Sequence, residues 1–287
     1  MIEKGEREVT RQYAHTLTEI RKQLADQYEK YEQGGTLSLE EMTKHNRLNK
    51  LMKEVNHLLR NNRYETSKLM QKILGDAYME GYYLSAWAVE EHAQAKLGFS
   101  AVSPETLSAM IENPIAGLTL NERLERNRAT LIYDIQQQVT QGLQKNETYS
   151  SMAKRLKKEL EGDAVKATRI VRTEGHRVQE SAKHDAADHA NKNGVVMMKT
   201  WNSLEDSRVR KSKDANHRRL NNTTIPVDDD FKGVSGKGPS PGNLGEAAED
   251  INCRCFLTYS VKKVERPQYG ELENIAFDKW KDERLRK

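Results

Sequence analysis

The sequence predicts an α+β protein that is predominantly α: an N-terminal helical bundle or set of hairpins, followed by a small α+β domain with a long irregular loop. Three observations carry this. No proline precedes Pro104 and none falls between Pro114 and Pro226, so long helices can fill both blocks. Apolar residues in those blocks recur at three- and four-residue steps. Runs of strand composition stand out only beyond Gly194, and a stretch rich in glycine and proline separates them.

The elements follow in order. Ser38 with Glu41 has the form of a capping box, and Leu48, Leu51, Met52, Val55, Leu58 and Leu59 then make one apolar stripe on a helix. The spacing resumes at Leu69, Met70, Ile73, Leu74, Ala77 and Tyr78, and the block closes near Gly98. Ser103-Pro104 reads as an N-cap with proline at the first helical position. Thr119 with Glu122 reads as a second capping box, opening a helix through Leu124, Leu131, Ile135 and Val139. Gly34-Gly35, Gly98 and the two prolines interrupt the repeat too early for a long coiled coil, which favours a bundle.

Residues 163–193 differ from the rest. Ala167, Val171, Gly175, Val178, Ala182 and Ala186 form a helical stripe of small residues suited to close packing, and Gly194 is a natural C-cap. Residues 195–201 and 253–261 have strand composition. Between them, after Asp228, Asp229 and Asp230, five of the 17 glycines lie from Gly233 to Gly245 together with Pro239 and Pro241. A loop of that length serves function or stays mobile. Residues 270–287 can form a polar helix carrying Leu272, Ile275, Phe277 and Trp280. The expected division is 1–160 helical, 161–264 α+β, and 265–287 a C-terminal polar helix or tail.

Composition narrows the classes. The 287 residues carry 47 Lys+Arg and 43 Asp+Glu, a net charge of +4 too small to argue for a polycationic nucleic-acid binder. No run approaches the roughly 18 apolar residues of a spanning helix, so no membrane span is expected. The N-terminus lacks the apolar core of a secretory signal and two cysteines cannot build a disulfide framework, so a reducing compartment is expected. P-loop, His-Glu-x-x-His and Gly-x-Ser-x-Gly patterns are absent.

Three local features can carry chemistry. On a strand, Cys253 and Cys255 would face one side and bring both sulfurs to one site. They are either two buried small residues, which a single pair favours, or zinc ligands with His217 and one of Asp206 or His176. Zinc is the one candidate cofactor. Glu174, in Arg172-Thr173-Glu174, borders the small-residue stripe, where a carboxylate needs a partner such as an arginine or lysine. Arg208, Arg210, Lys211, Lys213, Arg218 and Arg219 form a basic cluster that is either solvated surface or a sequence-blind DNA contact.

Read in order, Arg172-Thr173-Glu174, Lys199-Thr200-Trp201, Asp206-Ser207-Arg208, His217, the Pro/Gly loop with Pro239 and Pro241, and the Glu249-Asp250-Ile251-Asn252-Cys253-Arg254-Cys255 segment resemble a known family. It is the phage head-morphogenesis, or minor capsid, proteins related to protein F of phage Mu. The resemblance covers roughly residues 160–262 and makes Arg172, Glu174, Trp201, Asp206, Arg208, His217, Asn252, Cys253 and Cys255 the motif. Where the family has a Leu-Asp-Gly turn after the histidine, this chain has Leu220-Asn221-Asn222, and asparagine also tolerates positive φ.

The resemblance implies a low-copy, non-enzymatic virion protein in the phage head interior near the portal vertex, present in the host cytoplasm during assembly. It would contact portal protein, other head or scaffold proteins and packaged double-stranded DNA, aiding head assembly, genome packaging or DNA delivery. One alternative is an ADP-ribosyltransferase-like enzyme carried in the head, with Arg172 and Glu249 or Glu174 in catalytic parts. Residues 246–249 read Glu-Ala-Ala-Glu, without the Glu-x-Glu or Gln-x-Glu pair expected there. A second alternative is a zinc-stabilised DNA-binding module.

Overall fold

Helical periodicity governs most of the chain in the computed structural model, which describes residues 1–115, 117–265, 270 and 275–285. The elements are α1 (Ile2–Tyr31), α2 (Leu39–Thr43), α3 (Arg47–Ala93), α4 (Pro104–Glu112), α5 (Leu120–Gln144) and α6 (Tyr149–Lys192), then β1 (Val195–Asn202), β2 (Thr224–Pro226), β3 (Phe231–Lys232), β4 (Lys237–Gly238), α7 (Ala247–Asp250), β5 (Phe256–Val264) and α8 (Phe277–Leu285). This is the predominantly α, α+β class that the spacing predicts. The chain packs as two compact units, one of residues 3–71 and 120–171, the other of residues 72–119 and 172–287. The division expected near residue 160 therefore falls inside α6.

The first unit is built from helices. From α1 it buries Val9, Tyr13, Ile20, Leu24 and Tyr28, from α3 Leu51, Val55 and Leu59, from α5 Leu124, Leu131, Ile135 and Val139, and from α6 Met152, Leu156 and Leu160. Each fully buried aliphatic side chain contributes about 1.5–3 kcal/mol. Polar side chains fix the register between helices: Tyr13 Oη donates to Asp163 Oδ2 at 2.9 Å, and Asn62 Nδ2 to Thr16 Oγ1 at 2.9 Å. Ser38 Oγ accepts from the Glu41 N–H at 3.1 Å, the cap its spacing predicts. The helix it opens is short, because His45 and Asn46 adopt positive φ of 51° and 58° and α3 starts afresh at Arg47. The helix expected over 163–193 begins earlier, at Tyr149, since Met152, Leu156 and Leu160 continue the buried stripe toward the N-terminus.

The second unit combines the rest of α3 and α6 with α4 and a three-stranded antiparallel sheet of order β2-β1-β5. The small-residue stripe on α6 does what its composition predicts: a Cβ placed on Gly81 of α3 would stand 3.3 Å from the Ala182 Cβ. Ser103 Oγ caps α4 by accepting from the Thr106 N–H at 3.2 Å. β1 alternates in burial, with Val195, Met197, Lys199 and Trp201 turned inward. The strand expected over 253–261 starts only at Phe256, because Phe256 pairs with Asn202, the last residue of β1, and no partner remains beyond it. The expected C-terminal helix is α8, and Leu272 lies outside the described residues. It is anchored: Trp280 is fully buried and its indole N–H donates to Glu90 Oε2 at 2.6 Å.

Candidate functional site

Residues 203–255 carry little regular structure, so their backbone polar groups need other partners. Buried carboxylates supply them. Glu249, on α7, is fully buried; its Oε1 accepts from the Val234 N–H at 2.7 Å and the Ser235 N–H at 3.0 Å. Asp250 accepts from the Leu244 N–H at 2.9 Å and the Gly245 N–H at 2.8 Å. Glycine is required where segments of the loop nearly touch: a Cβ on Gly233 would stand 2.6 Å from Glu249 Oε1, and one on Gly238 would overlap the Asn243 carbonyl. β3 and β4 pair as a two-stranded hairpin inside this loop.

His217 sits at the centre of the module. It begins a 3-10 turn over His217–Arg219, is 1% exposed, and packs edge-on against Trp201 with ring centroids 5.3 Å apart. Its Nε2 lies 2.7 Å from Glu249 Oε2, and its Nδ1 lies 3.5 Å from both the Cys253 and the Cys255 Sγ. Both cysteines are free and buried. They precede β5 instead of standing on it, so their convergence comes from Nδ1 of one histidine and from the turn at Asn252, whose φ is 57°. Contact between the thiols pushes Cys253 up and Cys255 down. The turn after His217 survives without glycine: Asn222 takes a φ of 62° and its N–H donates to the Trp201 carbonyl at 2.8 Å.

The motif helix and the twin-thiol segment meet. Thr173 Oγ1 accepts from the Asn252 N–H at 3.1 Å, and the His176 ring lies beside the Cys253 thiol. Arg172 is exposed on α6. Glu174 is fully buried and pairs with Arg177 Nε at 3.0 Å, while Arg177 also donates to the Met110 carbonyl at 2.8 Å. Burial pushes the Arg177 guanidinium down to about 10. Lys199, fully buried, donates to the Pro239 carbonyl at 2.9 Å, and burial lowers it to about 8.

Asp206 does not join the thiols. Both its oxygens accept from Arg254 Nη2, at 2.5 and 2.7 Å, and chiefly this contact holds its carboxyl at about 2. The basic cluster divides. Arg210 turns inward and donates to the Ile251 carbonyl, Arg208 and Arg218 bond to Asp206, and Lys211, Lys213 and Arg219 are exposed.

Sequence reasoning names Asp250 only within the family segment and passes over Arg177 and Glu180. Glu180 Oε2 accepts from the Leu257 N–H at 2.8 Å and so fixes the start of β5. The signal that could have found them is spacing: Glu174, Arg177 and Glu180 recur every third residue on a helix face otherwise made of small residues.

The motif residues that this module brings together belong, by comparison with known proteins, to a class of phage head proteins. The chain belongs to the family of Phage Mu protein F like proteins, which residues 133–258 match. It is 33% identical to the minor head protein GP7 of Bacillus phage SPP1, over 99% of this chain and 94% of that protein. It is also 26% identical to the NAD(+)--arginine ADP-ribosyltransferase EFV of Enterococcus faecalis, over 96% of this chain but 56% of that protein. No solved structure matches the chain.

Proposed function

We propose that the chain is a minor head protein of a bacteriophage, a low-copy virion component held in the head interior near the portal vertex and assembled in the host cytoplasm. It acts in head assembly, genome packaging or DNA delivery. The likeness to minor head protein GP7 along nearly the whole of both chains carries this reading. Its partners are the portal protein and other head or scaffold proteins, met by the polar faces of the helical unit, and packaged double-stranded DNA, met by Lys211, Lys213 and Arg219. None of the helices among the described residues is long and apolar enough to cross a membrane.

The likeness to the transferase EFV favours an enzymatic reading, but it reaches little more than half of that protein. The carboxylates that would act are also badly placed for it. A glutamate that stabilises a departing nicotinamide must face the substrate; Glu249 and Glu174 are both fully buried, the first bonded to His217 and loop amides, the second to Arg177. We therefore read the chain as non-enzymatic. Quantitative mass spectrometry of purified proheads and mature particles tests the proposal: a few copies per particle are expected, and absence from both overturns it.

A further inference from the structure

We propose that Cys253, Cys255, His217 and His176 form a four-ligand zinc centre in which Glu249 orients His217. Tetrahedral bonds of about 2.3 Å to sulfur and about 2.05 Å to nitrogen put a sulfur and a nitrogen ligand about 3.6 Å apart. His217 Nδ1 stands 3.5 Å from each sulfur, and the three ligand atoms all lie within 4.8 Å of one another. Both sulfurs converge on the one Nδ1 at that spacing.

The surroundings fit the same chemistry. Glu249 Oε1 is held by two loop amides, which leaves Oε2 to receive a proton from His217 Nε2 at 2.7 Å. That tautomer turns the lone pair of Nδ1 toward the sulfurs, the carboxylate–histidine–metal arrangement that orients a ligand imidazole. Of the two residues the sequence offers as the fourth ligand, Asp206 is bound to Arg254. His176 lies beside Cys253 and its Nε2 is buried; its ring stands outside the mutually close set of His217, Cys253 and Cys255, and would swing in to complete the centre. Two thiolates and two neutral imidazoles around Zn²⁺ make an electrically neutral group, which a buried site accommodates best. The two thiol protons leave for solvent as the metal binds. The donors are soft sulfur and imidazole nitrogen, which select zinc over magnesium or calcium. Such a centre would tie α6, the loop and the start of β5 together around a small apolar cluster of Trp201, Leu220, Phe231, Leu244, Leu257 and the two cysteines, with Ile225 and Tyr259 packed against it.

The test uses the full chain, reduced, refolded with zinc and dialysed. Metal analysis is expected to find one zinc per chain, and cobalt in its place should give tetrahedral d–d bands with thiolate charge transfer. A wild-type chain that retains no zinc and gives no such spectrum overturns the proposal, and does so without touching the virion assignment. Glu249→Gln separates orientation from folding: its amide can accept from the loop N–H groups and donate to Nε2, which forces the proton onto Nδ1. Zinc affinity should then fall about 10–100-fold while circular dichroism stays unchanged; unaltered affinity overturns the role of Glu249. His176→Ala should replace the four-ligand cobalt spectrum with one of an open coordination position, and an unchanged spectrum overturns His176 as a ligand.

Discussion

The helical unit and the loop module of residues 203–255 are held together by opposite means. In the first, stripes of Leu, Ile, Val and Tyr are buried along regular helices, whose backbone groups satisfy one another. In the second, backbone groups are satisfied by buried side chains: Glu249 serves Val234 and Ser235, and Asp250 serves Leu244 and Gly245. Area burial is graded, because one methyl more or less changes the energy in proportion. Hydrogen-bonded carboxylates are not graded, because removing one strands every donor it served.

The largest effect expected from this contrast is at Glu249. With chelator present to keep metal out, Glu249→Ala leaves buried His217, and the amides of Val234 and Ser235 at the loop surface, without their acceptor, and should cost about 3–5 kcal/mol in denaturant unfolding. Ile135→Val, in the fully buried stripe of α5, should cost about 0.5–1.5 kcal/mol. Equal losses at the two positions would show that the loop is braced by area, like the helices.

The same contrast explains what could be read in advance. Caps at Ser38 and Ser103, the α5 start after Thr119 and the small-residue face of α6 are all local patterns, and the structure contains each. The meeting of His217 with Cys253 and Cys255 spans 36 and 38 positions of sequence, which no periodicity encodes; only the residue types suggest it. The strand start is misplaced by composition for the same reason, since β5 begins where its partner β1 ends, a fact of pairing. Asp206 is a reasonable fourth ligand by type, but nothing local tells that Arg254 claims it. Trp280 marks the C-terminal helix as one with an apolar residue to bury, but its partner Glu90 lies 190 positions away.

Between these extremes stands the Asp206–Arg254 pair, which joins the loop to the twin-thiol segment at a half-exposed position. Contact with Arg254 depresses the Asp206 carboxyl to about 2 in the folded chain, against about 3.9 when unfolded. Above about pH 5 both states are ionised and the contribution is fully present; below it the unfolded state binds the proton first, so stability drains away as pH falls toward 2. Unfolding followed between pH 5 and 2 should show this loss, and Arg254→Gln should remove that part of the acid dependence. An identical acid limb in the variant would mean that the pair contributes nothing to holding the loop.

The smallest expected effect concerns residues that brace nothing. Lys211, Lys213 and Arg219 project into solvent, whereas Arg210 commits its guanidinium to the Ile251 carbonyl and Arg208 and Arg218 bond to Asp206. Changing the whole cluster would therefore mix weaker DNA binding with damage to the loop itself. Lys211→Ala, Lys213→Ala and Arg219→Ala combined should leave unfolding unchanged and act on DNA retention alone. For every phosphate that these side chains no longer neutralise, the slope of log affinity against log salt should flatten by about 0.9, so filter binding over a salt series should register a change of about 2–3 when all three engage. A slope equal to that of the unaltered chain would assign these side chains to solvation, and any grip on the packaged genome would then belong to another surface.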